Sequence, residues 1–299
     1  MEKLSLYLSI QREKEASRFF SKDEGVVSLC KDLGTLMFES ICPNNDSYIA
    51  VSRERAPILG LYVKIYKFWQ ECTEIYTKGK MDICIAYARI FYEAYMKMMY
   101  LMIKADDSLR RFVIVSYKSR YELFSKTDRD SSALDFVRNT KLLDAMEMDG
   151  VSIDDIRSAK GKTIHKQNFE QISSEVEEKL FSKEERRLLY VSLYALSSDV
   201  IHSDWGELRQ FHLNFCEDGL IYPNIEEKRH KHYRAILPMA SMAAKSIQAF
   251  ITYVNEDKQI IPNGNNLIKM AMEIERVILL GIKNLIDEYE QNPDKFLIV

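Results

Sequence analysis

The sequence predicts an all-α protein, a multi-helix bundle with one small β-hairpin inserted near residues 208–224. Glycine and proline are scarce, with ten Gly and six Pro in 299 residues, so few positions interrupt regular structure. Leucine, methionine, lysine and glutamate, which favour helices, are frequent. Apolar residues recur mostly at helical spacing, and only one short stretch alternates as a strand does.

Turn and capping signals place the individual helices. The run Pro43-Asn44-Asn45-Asp46 is a clear break, and Lys78-Gly79-Lys80 is a turn short enough to make its neighbours antiparallel. Ser182-Lys183-Glu184-Glu185 has the form of a capping box. We expect helices at 3–22, 24–42, 56–77, 81–103, 107–126, 131–147, 169–180, 188–205, 228–254 and 267–290.

The β-hairpin is indicated by the spacing of apolar residues, which changes after Gly206 from the helical repeat to the two-residue alternation of a strand. Phe211, Leu213 and Phe215 alternate with polar residues, and Asp218-Gly219 supplies a turn before Leu220–Tyr222. We expect three regions: an N-terminal helical extension (1–45), a main helical domain that includes the hairpin (46–258), and a C-terminal linker with a helix packed on the main domain (259–299).

Charge and cysteine content exclude several classes of protein. A net charge of −3 argues against a protein that coats nucleic acid along its length, because such proteins carry a basic excess. A local basic site is compatible with this net charge. The five cysteines are scattered and form no C-x-x-C pair, so we expect buried free thiols, with neither a zinc site nor a disulfide framework. With no signal peptide and no apolar stretch of membrane-spanning length, a soluble cytoplasmic protein without a membrane partner is expected. No metal or cofactor is expected.

The helix 188–205 is the predicted centre of the protein because it ends in a dense polar cluster. Ser198 and Asp199 share a helix face with His202, and Ser203 follows it. A carboxylate one turn from an imidazole orients the ring and raises its basicity for acid–base catalysis. Alternatively, the same groups cap the C-terminus of the helix.

Arg89 and Glu93 stand four residues apart in the strongly apolar stretch ARIFYEAYMKMMYLM. A buried arginine is costly unless paired, so it either holds the structure through Glu93 or another acid, or binds an anion. If this helix packs against the helix 188–205, Arg89, Glu93 and His202 share one pocket.

Two basic segments are candidate binding sites. Lys162 and His165 lie in the segment 151–166, which has a short capped turn followed by several lysines and which we expect to be a mobile or ligand-facing loop. Arg229 and Lys231 belong to the densest basic run, RHKHYR, which either grips phosphates or is the solvated first turn of a helix. We predict that Ser198 and Ser203 also contribute to binding.

The order of these motifs resembles a family of uncharacterised prokaryotic all-helical proteins, a domain of unknown function with ties to HEPN-like nucleases and abortive-infection proteins. The resemblance rests on ARIFYEAYMKMMYLM, KGKTIHKQNF and LYALSSDVIHSDW. It implies a HEPN-like bundle in which His202 is the catalytic histidine and Asp199 the polar spacer. The arginine expected upstream of this histidine is replaced by Ala195-Leu196-Ser197-Ser198, and Arg89 is the hypothesised substitute.

Two functions follow from this resemblance and the polar cluster. The first is a metal-independent ribonuclease or toxin in phage defence, with catalytic residues His202, Arg89, Glu93 and Asp199. The second is a non-catalytic helical module that binds a protein partner or a nucleotide in the same groove. Expected partners are RNA or a nucleotide, and a second copy of the chain or another protein.

Overall fold

The computed structural model describes residues 2–43, 47–104, 106–126, 142–159, 169–189, 213–215, 221–223, 233–256 and 258–291. This part of the chain is mostly helical, which confirms the all-α prediction. Its helices are α1 (Glu2–Ser9), α2 (Glu13–Phe20), α3 (Asp23–Ile41), α4 (Ala56–Thr77), α5 (Met81–Lys104), α6 (Asp106–Lys126), α7 (Leu142–Met148), α8 (Ile153–Ser158), α9 (Phe169–Leu180), α10 (Lys183–Leu189), α11 (Tyr233–Val254) and α12 (Gly264–Gln291), with a 3-10 turn at Arg53–Arg55.

The N-terminal region differs from the prediction, because two helices replace the single helix expected at 3–22. The break falls at Ile10–Arg12, between α1 and α2. The backbone N–H groups of Gln11 and Arg12 donate to the Glu15 carboxylate at 2.7 and 3.0 Å, which satisfies the exposed donors at the start of α2. The Glu15 carboxylate in the first turn of α2 thus favours the start of a new helix there over the continuation of α1.

Contacts within the chain define two compact units. The first contains residues 1–50, 61–95 and 180–299, and the second contains 51–60 and 96–179. In the first unit α11 and α12 pack along each other, and α3 contacts both of them. Helices α1 and α2 pack on α12, so helices far apart in the sequence share one core.

The core of the first unit is rich in aromatic side chains. Tyr62 on α4 stacks on Phe250 of α11, with ring centroids 3.9 Å apart and planes 5° apart. Trp69 is fully buried, and its indole N–H donates to the carbonyl of Cys30 on α3 at 3.0 Å. The aromatic side of α4 is therefore core.

The α4–α5 hairpin turns as predicted at Gly79, whose φ of 75° favours glycine. Phe68 and Tyr87 lie 5.6 Å apart, and Trp69 and Phe91 lie 6.0 Å apart, measured between ring centroids. These two pairs join residues on either side of the short turn, as is typical of a helical hairpin.

The second unit has a small apolar cluster beneath α6. Leu142 and Met146 of α7, with Val151 and Ile156, are buried against Val113, Ile114, Tyr117 and Tyr121 of α6. The hydroxyl of Tyr117 donates to Asp149 at 2.5 Å, and Lys104 pairs with Glu175 of α9 at 2.7 Å. The described parts of this unit are thus joined by apolar packing with polar links at its margins.

The predicted β-hairpin is confirmed by its two strands, β1 (Leu213–Phe215) and β2 (Ile221–Pro223), which pair antiparallel. Asn214 faces Tyr222 in the register. The intervening Asp218-Gly219 turn lies outside the described residues. Among the described helices, none combines the length and apolarity that a membrane crossing requires.

The free-thiol prediction is confirmed for Cys30, Cys42, Cys72 and Cys84, all of which are buried and unbridged; Cys216 lies outside the described residues. Burial raises the pKa of the Cys30 thiol, and a hydrogen bond with Cys84, together with burial, raises that of Cys72. Because the thiolate is the nucleophile, these thiols should react slowly.

We therefore expect at most one equivalent of Ellman's reagent to react rapidly with the reduced native protein, and all five thiols to react in guanidinium. Absorbance at the thionitrobenzoate band measures this. Two or more fast-reacting thiols in the native protein would contradict the burial of these four cysteines.

Candidate functional site

The Arg89–Glu93 pair is the part of the predicted site that the structure describes. Both residues lie on α5, one turn apart, and Arg89 Nε donates to Glu93 Oε1 at 2.9 Å. The side chain of Arg89 is 17% exposed and that of Glu93 is 36% exposed. Of the alternatives that the sequence left open for Arg89, the contact with Glu93 is observed, and the binding of an anion stays a prediction.

The pair stands at the edge of an apolar core. Ala88, Phe91 and Tyr92, beside it on α5, are almost fully buried, whereas Ile90 is 37% exposed. Such a pair can fix the orientation of a cation close to the surface, which is the arrangement that anion recognition uses.

The other predicted site residues lie outside the described residues. They are Ser198, Asp199, His202 and Ser203 in 190–212, Lys162 and His165 in 160–168, and Arg229 and Lys231 in 224–232. The proximity of Arg89 to His202 therefore stays a prediction. The start of the central segment is described: Leu188 and Leu189 belong to α10.

The capping box at the start of α10 is confirmed. Ser182 N donates to Glu185 Oε2 at 2.8 Å, and Glu185 N donates to Ser182 Oγ at 3.2 Å. This reciprocal pair fixes the N-terminus of the helix from which the sequence continues toward Asp199 and His202.

A second ionic cluster, which the sequence analysis missed, joins α10, α11 and α12. Lys245 Nζ lies 2.6 Å from Glu275 Oε1 and 3.8 Å from Glu185 Oε1. Gln248 Nε2 donates to Glu275 Oε2 at 2.5 Å. All three charged side chains are less than a fifth exposed, so the lysine neutralises two carboxylates at the margin of the core.

Aromatic side chains enclose this cluster. Lys245 Nζ lies 5.1 Å from the centroid of the Phe181 ring, and Phe181 packs edge-on against Tyr95 at 6.2 Å. The pKa of Tyr95 is raised well above its ordinary value, mainly by burial and then by Glu275 and Glu185. Tyr95 is therefore a neutral hydroxyl at physiological pH.

Four polar atoms near the cluster have no hydrogen-bond partner in the part of the chain that the structure describes. They are Tyr95 OH, Glu185 Oε1, Arg186 Nε and Ser241 Oγ. Glu185 and Ser241 line a small cleft together with Phe181, Leu189, Pro238 and Ile282. Since an unsatisfied buried polar atom costs about 1–3 kcal/mol, the cleft favours a water molecule or another small polar group.

A signal for this cluster exists in the sequence. Lys245 is the only charge in the run Ala240–Phe250, whose other residues are mostly small or apolar. Such a lysine on a buried helix requires an acidic partner. The partners lie 30 and 60 residues away in the sequence, which explains why spacing within one helix does not reveal them.

The described fold and site define an all-helical protein with one short hairpin and charged pairs set at the edges of its cores. Among the described residues, no three or more His, Cys, Asp or Glu side chains are grouped to hold a metal ion. The chain belongs to the family of unknown function DUF5677, which matches residues 55–220, more than half of the chain. No curated protein and no solved structure matches it.

The matched span contains both motifs that the sequence analysis selected. Arg89 and Glu93 lie within it, as do Asp199 and His202. Glu185 lies within it too, whereas Lys245 and Glu275 follow it. The family supplies no activity, so the function is argued from the residues.

Proposed function

We propose that the chain is a HEPN-like, metal-independent endoribonuclease that acts as a toxin in phage defence. The observation that supports this proposal is the Arg89–Glu93 pair, a mostly buried cation held at 2.9 Å by a carboxylate one helical turn away. A guanidinium oriented in this way is suited to a phosphate that gains charge during cleavage.

In the proposed reaction, the His202 imidazole takes the proton of a ribose 2′-hydroxyl. The 2′-oxygen attacks the adjacent phosphorus, the bond to the 5′-oxygen breaks, and that oxygen leaves with the proton that the His202 imidazolium returns through solvent water. Arg89 neutralises the charge on the non-bridging phosphate oxygens, and Glu93 holds Arg89 in place. Asp199 orients His202. The products are a 2′,3′-cyclic phosphate and a 5′-hydroxyl.

Substrate contacts in this proposal come from the predicted binding residues. Ser198 and Ser203 flank His202 in the sequence and donate to phosphate or sugar oxygens. The four basic-segment residues contact the RNA backbone electrostatically: Lys162, His165, Arg229 and Lys231.

The test compares induced expression of the wild type with that of His202→Ala, scoring growth and the integrity of total RNA. We expect His202→Ala to lower RNA cleavage at least about 100-fold, because it removes the general base. Arg89→Gln should lower cleavage by a similar factor, and Arg89→Lys should keep part of the activity. The matched control is Lys67→Gln, an exposed cation on α4, which should cleave like the wild type.

Thermal unfolding of each purified variant separates loss of chemistry from loss of fold. RNA degradation and growth arrest by His202→Ala at the wild-type level would refute the proposal. A purified wild-type protein that leaves a labelled RNA intact would refute it as well.

The second candidate function is a non-catalytic helical module that binds a protein partner or a nucleotide. The Arg89–Glu93 contact also favours this second function. Arg89 Nε already donates to Glu93 within its own helix, which is the arrangement of a structural ion pair. The expression test separates the two candidates: intact RNA in every strain, with nucleotide binding lost in Arg89→Gln by calorimetry, indicates the module.

A further inference from the structure

We propose that Cys72 and Cys84 are a redox modification site, in which a peroxide converts the two thiols into a reversible disulfide that locks the α4–α5 hairpin. This site goes beyond the proposed function and does not depend on it. Both cysteines belong to the first unit, on helices joined by the turn at Gly79. Their side chains are 0% and 1% exposed, so the hairpin packs around both of them.

The two thiols lie at the same level of the hairpin. Cys84 Sγ donates to the backbone carbonyl oxygen of Cys72 at 3.8 Å. The Cys72 thiol also forms a hydrogen bond with the Cys84 thiol, which together with burial raises the pKa of Cys72. A disulfide requires two side chains that meet at short range. The double contact of Cys84, with the main chain and with the thiol of Cys72, places the two sulfur atoms side by side.

Helices α4 and α5 approach each other closely at this level. A side chain of α5 reaches the main chain of α4 only where the residues between the two backbones are small, and cysteine is a small residue. Farther from the turn, the aromatic rings of Trp69 and Phe91 lie between the same two helices, with centroids 6.0 Å apart. The end of the hairpin near Gly79 is therefore the place for a bridge that needs Cα atoms about 4.4–6.8 Å apart.

A third cysteine, from another helix, lies next to the pair. Cys30 on α3 is buried, and its pKa is raised by burial and then by the neighbouring Cys84. The hydroxyl of Thr73 forms a hydrogen bond with the Cys30 thiol. Thr73 thus gives Cys30 a partner of its own on α4, which leaves Cys72 and Cys84 as the two thiols in direct contact.

Packing alone explains only part of this arrangement. A free cysteine behaves as a small apolar residue, which accounts for the burial of each thiol. It does not require cysteines from three helices to meet at one point of the core. Cys42 is also buried in the first unit, and among the described residues it forms no hydrogen bond with another thiol. Cys42 is therefore the matched control for the pair.

The reaction consumes one molecule of hydrogen peroxide for each bridge. The Cys84 thiolate attacks one peroxide oxygen, so an S–O bond forms, the O–O bond breaks, and hydroxide leaves and becomes water. The Cys72 thiol then loses its proton and attacks the Cys84 sulfur; the S–S bond forms, the S–O bond breaks, and a second water leaves. Two electrons pass from the sulfur atoms to the peroxide, and a small dithiol restores both thiols by exchange.

Burial makes this oxidation slow. Cys84 stands in the first turn of α5, which begins at Met81, and the preceding residue, Ile83, has a 40% exposed side chain. Opening of a helix end costs less than global unfolding, so fraying at this turn exposes Cys84 to the peroxide. The raised pKa of Cys72 then slows the second step, because the thiolate is the nucleophile. The pair therefore responds to sustained rather than brief exposure to the oxidant.

The test exposes the reduced native protein to hydrogen peroxide, blocks the remaining thiols with N-ethylmaleimide in guanidinium, and maps tryptic peptides by mass spectrometry without reduction. The five cysteines fall on five different tryptic peptides, with Cys72 in 68–78 and Cys84 in 81–89. We expect these two peptides to be linked at least about tenfold more often than any other pair, because only their thiols are in direct contact. In guanidinium, Ellman's reagent should titrate two fewer thiols after oxidation.

Variants separate the bridge from general oxidation. Cys72→Ala and Cys84→Ala should each abolish the linked peptides, whereas Cys42→Ala should form them like the wild type. Thermal unfolding of each reduced variant checks its fold. The oxidised wild type should unfold at a higher temperature than the reduced protein, because a bridge between residues 12 positions apart restricts the unfolded chain.

A linkage that joins Cys30 or Cys216 to another cysteine in place of this pair would overturn the proposal. So would equal yields of the linked peptides from native and urea-unfolded protein, because contact in the fold would then contribute nothing. Met148 and Met272 are exposed and report that the oxidant has acted. If both are oxidised while Cys72 and Cys84 still react with maleimide in guanidinium, the proposed site does not exist.

Discussion

Replacing Lys245 by methionine should lower the free energy of unfolding by about 3–5 kcal/mol, because it leaves two mostly buried carboxylates without their cation. Lys245 Nζ lies 2.6 Å from Glu275 and 3.8 Å from Glu185, and these side chains are 12% and 17% exposed. Methionine keeps the aliphatic stem beside Phe181, so the loss reports on charge rather than on packing. Urea unfolding followed by circular dichroism measures it.

The matched control is Lys269→Met, which removes an exposed lysine from α12 and should change stability by less than about 0.5 kcal/mol. The double variant Lys245→Met/Glu275→Gln should recover part of the loss, since one carboxylate is neutralised with its cation. A coupling of about 0.5–3 kcal/mol is expected from the double-mutant cycle. A Lys245→Met variant as stable as Lys269→Met would show that the cluster contributes no stability.

Replacing Arg276 by methionine should cost about 2–3 kcal/mol and loosen the N-terminus. Its two Nη atoms donate to the carbonyls of Ile10 and Tyr7 at 2.7 and 2.8 Å, and its Nε donates to Glu273 at 2.9 Å. The guanidinium thus caps the C-terminal end of α1, whose last carbonyls lack helical partners. Hydrogen bonds from a charged donor are worth about 1.5–3 kcal/mol each, and partial exposure reduces the total.

Hydrogen exchange localises the effect of this variant. We expect faster amide exchange in residues 2–20 of Arg276→Met, while α4 keeps its protection. The Lys269→Met variant serves again as the control on the same helix. N-terminal amides that stay as protected as in the wild type would show that α1 and α2 dock on α12 without the guanidinium.

Local signals predicted most of the helix positions. The α4 helix was expected at 56–77 and spans Ala56–Thr77, since Pro57 suits a first helical turn and Gly79 ends the hairpin. The α9 helix agrees in the same way, at Phe169–Leu180. The N-terminal prediction was wrong at the α1–α2 break, because the signals there are Glu15, which caps a new helix, and Arg276, far along the chain.

The candidate site was predictable only where both partners stand on one helix. Arg89 and Glu93 are one turn apart, so helix geometry alone brings them together. The partners of Lys245 are Glu185 on α10 and Glu275 on α12. Residue spacing along the chain does not reveal contacts between side chains of different helices. The proximity of His202 to Arg89 would likewise be a contact between different helices, and it stays a prediction.

The sequence by itself predicted most of the described helices, the turn between α4 and α5 at Gly79, and the placement of Arg89 and Glu93 one helical turn apart. These outcomes depend on interactions across a few residues, such as caps, turns and i,i+4 neighbours. Only the tertiary structure decided that the first helices dock on the last and that Lys245 joins Glu185 and Glu275. Arg276 and Tyr7 are 269 residues apart, and only packing of the core brings such groups into contact.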